Sequence, residues 1–114
     1  MVKYKKSIVL FIIFFTFSNI SYSIESAAHK VEVAKCFGVI MTIKNNSKYE
    51  ENKFKAAKIL DLYLDKIIRL NIGSIMMKEM SEKAAGEVFY ILDSTSPENI
   101  NKLLDKCVST LRIG

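Results

Sequence analysis

Apolar residues recur every three to four positions through most of this chain, in four blocks separated by short polar punctuation. That spacing predicts four amphipathic α-helices. The first block covers about Glu25 to Ile43, with Val33, Ala34, Cys36, Phe37, Ile40 and Met41 toward one side. The polar, turn-prone Lys44-Asn45-Asn46 closes it. The second runs from about Lys48 to Leu70 and opens on Ser47-Lys48-Tyr49-Glu50, the pattern of a capping box. Its apolar arc passes from Ala56 and Ala57 through Leu60, Tyr63 and Leu64 to Ile67 and Ile68, wide enough to face two neighbours. Leu62 falls outside that arc, among Lys55, Lys58, Asp65 and Arg69. Glu51–Lys55 and Asp65–Arg69 place acid four residues before base, an arrangement that supports an exposed helical face. Asn71-Ile72-Gly73 ends the block, with Gly73 suited to a left-handed cap.

The third block spans about Ser74 to Leu92, with Met77, Met80, Ala84, Val88 and Ile91 as its stripe and Ala85 and Leu92 on the flank. Met76, Ile75 and Tyr90 point away from the stripe, as does Gly86, which costs about 1 kcal/mol relative to alanine in a helix interior. Phe89 to Leu92 favours β locally, but the pattern before it is helical. Asp93-Ser94-Thr95-Ser96-Pro97-Glu98 is the sharpest punctuation in the chain. Ser96 is the expected N-cap, Pro97 fits the first helical position, and Glu98 suits the positive helix start. The last helix, to about Leu111, carries Ile100, Leu103, Leu104, Cys107, Val108 and Leu111. Four helices joined by short turns predict an all-α, up-and-down four-helix bundle.

The first 23 residues follow a different rule. Lys3, Lys5 and Lys6 precede an uncharged apolar run from Ser7 to Phe17, and Ser18 to Ser23 is small and polar. Ser21 and Ser23 stand three and one residues before a cut at Ile24. This order reads as an export signal over 1–23, followed by a single helical domain over 24–114. The apolar run is shorter than the ~20 residues of a membrane span. An uncleaved leader that anchors the domain to a membrane is the alternative.

Removing the leader changes the charge picture. The whole chain carries +5, but the domain holds fourteen basic and twelve acidic residues, a net +2. Lys44, Lys48, Lys53, Lys55 and Lys58 group loosely, interrupted by Glu50 and Glu51, and read as a solvated face. The concentrated basic stripe of a nucleic-acid binder is missing.

Export gives the two cysteines a meaning. Cys36 and Cys107 lie on the apolar sides of the first and last helices, which are neighbours in an up-and-down bundle. In an oxidising compartment that parity predicts a structural disulfide. The spacing is unlike the Cys-x-x-Cys of redox-active pairs, and two thiols with one histidine do not complete a zinc set. The layout of leader, four short helices and one distant cysteine pair resembles the acid-stress chaperones of the bacterial periplasm. Their first cysteine is followed by an acid and an aromatic, whereas Lys35-Cys36-Phe37-Gly38 lacks the acid, so no residue role transfers.

Little else invites chemistry. His29, the only histidine, has no nucleophile or second ligand beside it in sequence and reads as a partly covered helix-start residue. Met76, Met77 and Met80 include thioethers of the kind Cu(I) takes, yet Met77 and Met80 sit on the stripe and read as core gap-fillers. Asp61 and Asp65 share a face but stand among Lys58, Lys66 and Arg69. Asn45-Asn46-Ser47 matches a glycosylation acceptor. No catalytic, cofactor or metal residues are assigned. The expectation is a small, non-enzymatic exported protein, periplasmic or secreted, that binds another protein through a helix face, in the manner of an inhibitor, immunity protein or chaperone. Leu62, Ile75 and Tyr90 are the candidate contacts. The alternative is a ligand or metal carrier with an apolar pocket between helices, lined by the arc of helix two and the methionines.

Overall fold

The computed structural model describes residues 27–112. The leader read over 1–23 and the first residues of the opening helix lie outside them. Among the described residues all regular structure is helical: α1 over 27–46, α2 over Glu50–Leu70, α3 over Ser74–Ile91 with a 3-10 turn at Leu92–Ser94, and α4 over Pro97–Leu111. They form an up-and-down four-helix bundle.

Three boundaries depart from the sequence reading, each for a local hydrogen-bonding reason. First, α1 runs on through Lys44-Asn45-Asn46. The Asn46 side-chain amide donates to the Thr42 carbonyl at 3.1 Å, and the Ser47 N–H donates to the Ile43 carbonyl at 3.0 Å, so the last turn satisfies itself. Second, the Ser47–Glu50 capping box does not form. Ser47 is buried and its hydroxyl accepts the Tyr49 N–H at 3.3 Å, while Glu50 turns to Lys53 at 3.8 Å. Third, the left-handed cap of α2 is Asn71 (φ 51°) rather than Gly73 (φ −63°), which instead precedes α3. The Asn71 N–H reaches the Ile68 carbonyl and the Ile72 N–H reaches the Ile67 carbonyl, completing a Schellman motif in which Ile67 and Ile72 both lean on the core. At α4 the reading holds: the Ser96 hydroxyl accepts the Asn99 N–H at 3.3 Å and Pro97 occupies the first turn.

Helix α1 is the centre of the molecule. Val33, Ala34, Cys36, Gly38, Ile40, Thr42 and Ile43 are all buried, and at 3.6 residues per turn they occupy more than one side. Two contacts explain why. On one side the Cys36–Cys107 disulfide ties α1 to α4, with Cα atoms 5.6 Å apart, inside the usual bridging range. On another side Gly38 lies directly on the α3 backbone. A Cβ at that position would sit 2.8 Å from both the Cα and the carbonyl carbon of Ser81, and nearer still to its oxygen. Only a residue without a side chain lets the helices approach this closely.

Helices α2 and α4 pack side by side and run parallel, as alternating helices of an up-and-down bundle do. Their contacts advance together along both helices: Asn52 to the Pro97 carbonyl at 3.2 Å, Lys55 to Asn101 at 2.6 Å and to Asp105 at 2.5 Å, and Tyr63 to the Cys107 carbonyl at 2.6 Å. Lys55 thus spans to α4 and leaves the expected Glu51 pairing unformed, whereas Asp65–Arg69 forms at 2.8 Å. Tyr63 is wholly buried beside the disulfide, and burial pushes its phenol pKa well up. Tyr63→Phe keeps the ring and removes the O–H that bonds Cys107. Denaturant unfolding is expected to show a loss of about 1–2 kcal/mol.

Helix α3 is the least covered. Of its stripe only Ala84 and Val88 are buried, joined by Leu92 in the following turn. Met77 and Met80 are only half-buried and Ile91 is exposed, contrary to the stripe reading. The physical reason is that α2 and α3, though joined by a three-residue turn, barely touch. The same separation corrects the wide arc of α2, where Leu64 and Ile68, expected to face a second neighbour, are exposed.

Candidate functional site

Leu62, Ile75 and Tyr90 are all solvent-facing, at 59%, 74% and 89% exposure. The fold does not bring the three together. Leu62 stands on α2 beside the exposed Asp65–Arg69 ion pair, one leucine in a charged surface. Ile75 and Tyr90 share the outward side of α3, where Gly86 and Phe89 join them within roughly a 100° arc. Phe89 is 60% exposed. Phe89, Tyr90 and Gly86 wall a shallow hollow completed by Ala85 and, from α1, by Thr42 and Asn46. Sequence periodicity marked Tyr90 as outward but passed over Phe89, which sits inside the locally β-favouring run. The available signal was its three-residue spacing from Gly86, itself off the stripe.

The lysines are more engaged than a solvated face requires. Lys48 donates to the Asp93 carbonyl at 3.1 Å, pinning the α3–α4 connection to the start of α2. Lys58 lies 4.5 Å over the Phe54 ring, and Lys53 faces Glu50. These lysines contribute to the fold, and among the described residues they make no continuous basic stripe.

His29 is half-buried near the start of α1, with Nε2 buried and without a hydrogen-bond partner. Desolvation, reinforced by the Lys66 ammonium, lowers its pKa below 6.5. As pH falls below 6.5 the unfolded chain takes up a proton that the folded chain refuses, until the lowered folded pKa is reached. Stability is therefore expected to decline across that window, and His29→Gln to flatten the slope, read from unfolding midpoints at pH values on either side. Among the described residues no three His, Cys, Asp or Glu side chains cluster as a metal set. Asp61 is exposed, and Asp65 is held by Arg69 at 2.8 Å.

Among the described residues no helix is long and apolar enough to cross a membrane. Comparison with protein-family models, curated proteins and solved structures finds no match to this chain.

Proposed function

We propose that this is a small exported protein, periplasmic or secreted, that binds another protein through the outward face of α3, as an inhibitor, immunity protein or chaperone does. The observation that carries the reading is the distribution of size along α3. Its inward residues are small, Ala84 and Val88, whereas Ile75, Phe89 and Tyr90 are large and uncovered. A helix serving only its own core has the opposite arrangement. Large aromatics held outward on a preformed helix are the usual anchors of a protein interface. The disulfide that locks α1 to α4 keeps that scaffold ordered before binding, which lowers the cost of association. The basic, apolar and small order of the first 23 residues and the bridged cysteines both accord with an oxidising compartment outside the cytoplasm.

A photo-crosslinker at position 90 is expected to capture one protein in the native compartment, and the same group at position 65 to capture none. With that protein purified, Tyr90→Glu is expected to weaken binding about tenfold or more without changing the unfolding midpoint. Leu62→Glu separates a second contact from a lone surface leucine. Equal capture at both positions, or unchanged affinity for Tyr90→Glu, contradicts the reading.

A further inference from the structure

A second feature lies away from the outward face of α3. Helices α1, α3 and α4 enclose a groove of about 360 Å³, within the range of small-molecule sites. Neither α2 nor the methionines line it, so it is not the pocket anticipated from the sequence. Its floor is apolar: Val39 from α1, Ala84 and Val88 from α3, Leu103 from α4, and the Cys36–Cys107 disulfide. Ile91 of α3 lines the groove too, whereas Phe89 and Tyr90 lie outside it.

The rim is charged in a particular way. Lys35 and Lys106, each next in sequence to one of the bridged cysteines, bring two ammonium groups. Glu32 and Glu87 bring two carboxylates. Among the described residues none of these four side chains makes an ion pair or a hydrogen bond, whereas Lys53, Lys55 and Arg69 elsewhere all find carboxylates. An apolar floor under unpaired charges of both signs complements a molecule with an apolar body and one charge of each sign.

We propose that this groove binds a short hydrophobic peptide with free termini. Its side chains lie over Val39, Val88 and the disulfide, its carboxylate meets Lys35 and Lys106, and its ammonium meets Glu87, which the parallel run of α1 and α3 from the Gly38–Ser81 contact sets at the end of the groove away from Lys35. Charge-assisted hydrogen bonds at both ends supply orientation, and the floor supplies burial. An uncharged apolar molecule meets the floor alone and leaves the rim unanswered.

The test is a heteronuclear NMR titration of the protein, disulfide intact, with the tripeptide Leu-Leu-Leu and with the same tripeptide acetylated and amidated at its ends. The free tripeptide is expected to bind saturably and to shift the amides of Cys36, Val39, Val88 and Cys107. The blocked form is expected to bind about tenfold or more weakly. A Lys35→Glu/Lys106→Glu variant, altered only on the rim, is expected to lose a similar factor. Ala84→Leu fills the floor and is expected to abolish binding while the unfolding midpoint holds or rises. Tyr90→Glu is expected to leave tripeptide binding unchanged, which separates this site from the outward face. Equal affinity for the blocked peptide, shifts confined to the outer faces of α2 and α3, or no saturation at millimolar peptide overturns the proposal.

Discussion

Gly38→Ala is expected to destabilise the protein by about 3 kcal/mol or more, at the upper end of overpacking effects. The added methyl meets the Ser81 backbone, and backbone atoms in a helix cannot rotate out of the way. One helix must move, and α1 is also fixed to α4 through the disulfide two residues earlier. The change should lower the thermal midpoint by roughly 15 °C for a domain of this size. Gly86→Ala is the internal control. No atom lies within 4 Å of the Cβ it would add, so the ordinary helix preference for alanine is unopposed. It is expected to stabilise by about 0.5–1 kcal/mol. Opposite signs at two helical glycines in one chain, read by urea unfolding, establish the close α1–α3 contact. Stabilisation at both contradicts it.

Reducing the disulfide is expected to have the larger effect. The bridge closes a loop of 71 residues in sequence separation, and the chain-entropy model gives that closure about 4 kcal/mol. A domain of this length is stable by only about 5–13 kcal/mol. Reduction, or a Cys36→Ala/Cys107→Ala variant, should therefore lower the midpoint by roughly 20 °C in circular-dichroism melts. The loss should fall hardest on α1, because the bond holds the central helix to α4 beside Tyr63. An unchanged midpoint with both thiols free would show that the bridge adds no stability.

Much of this fold was legible because helical periodicity is a strong signal where stripe and punctuation agree. In α4, Ser96 and Pro97 fix the start, and the buried Ile100, Leu104 and Cys107 belong to the predicted stripe. The disulfide was legible because both cysteines sat on apolar sides of helices that topology makes adjacent. Three things were not. Gly38 has no side chain, so a hydrophobic pattern assigns it to no side, although it permits the close approach of α1 to the α3 backbone. Thr42 and Asn52 score as polar yet are buried, because the Thr42 hydroxyl bonds the Gly38 carbonyl at 2.8 Å and the Asn52 amide bonds the Pro97 carbonyl. Leu64 and Ile68 score as core yet are exposed, because a stripe shows which side is apolar and not whether a neighbour covers it. The candidate surface was legible for the same reason in reverse. Ile75 and Tyr90 break the stripe of α3, and on a helix covered from one side only, an apolar residue off the stripe is outward. The groove under the charged rim was out of reach, since its walls come from three helices and no one of them carries its pattern.

The most direct measurement is the intact mass of the protein taken from its host, alkylated before and after reduction. The account predicts one species beginning at or near Ile24, with neither cysteine labelled in native material and both labelled once reduced. A chain that retains Met1 to Ser23, or two thiols that alkylate without reductant, would contradict it.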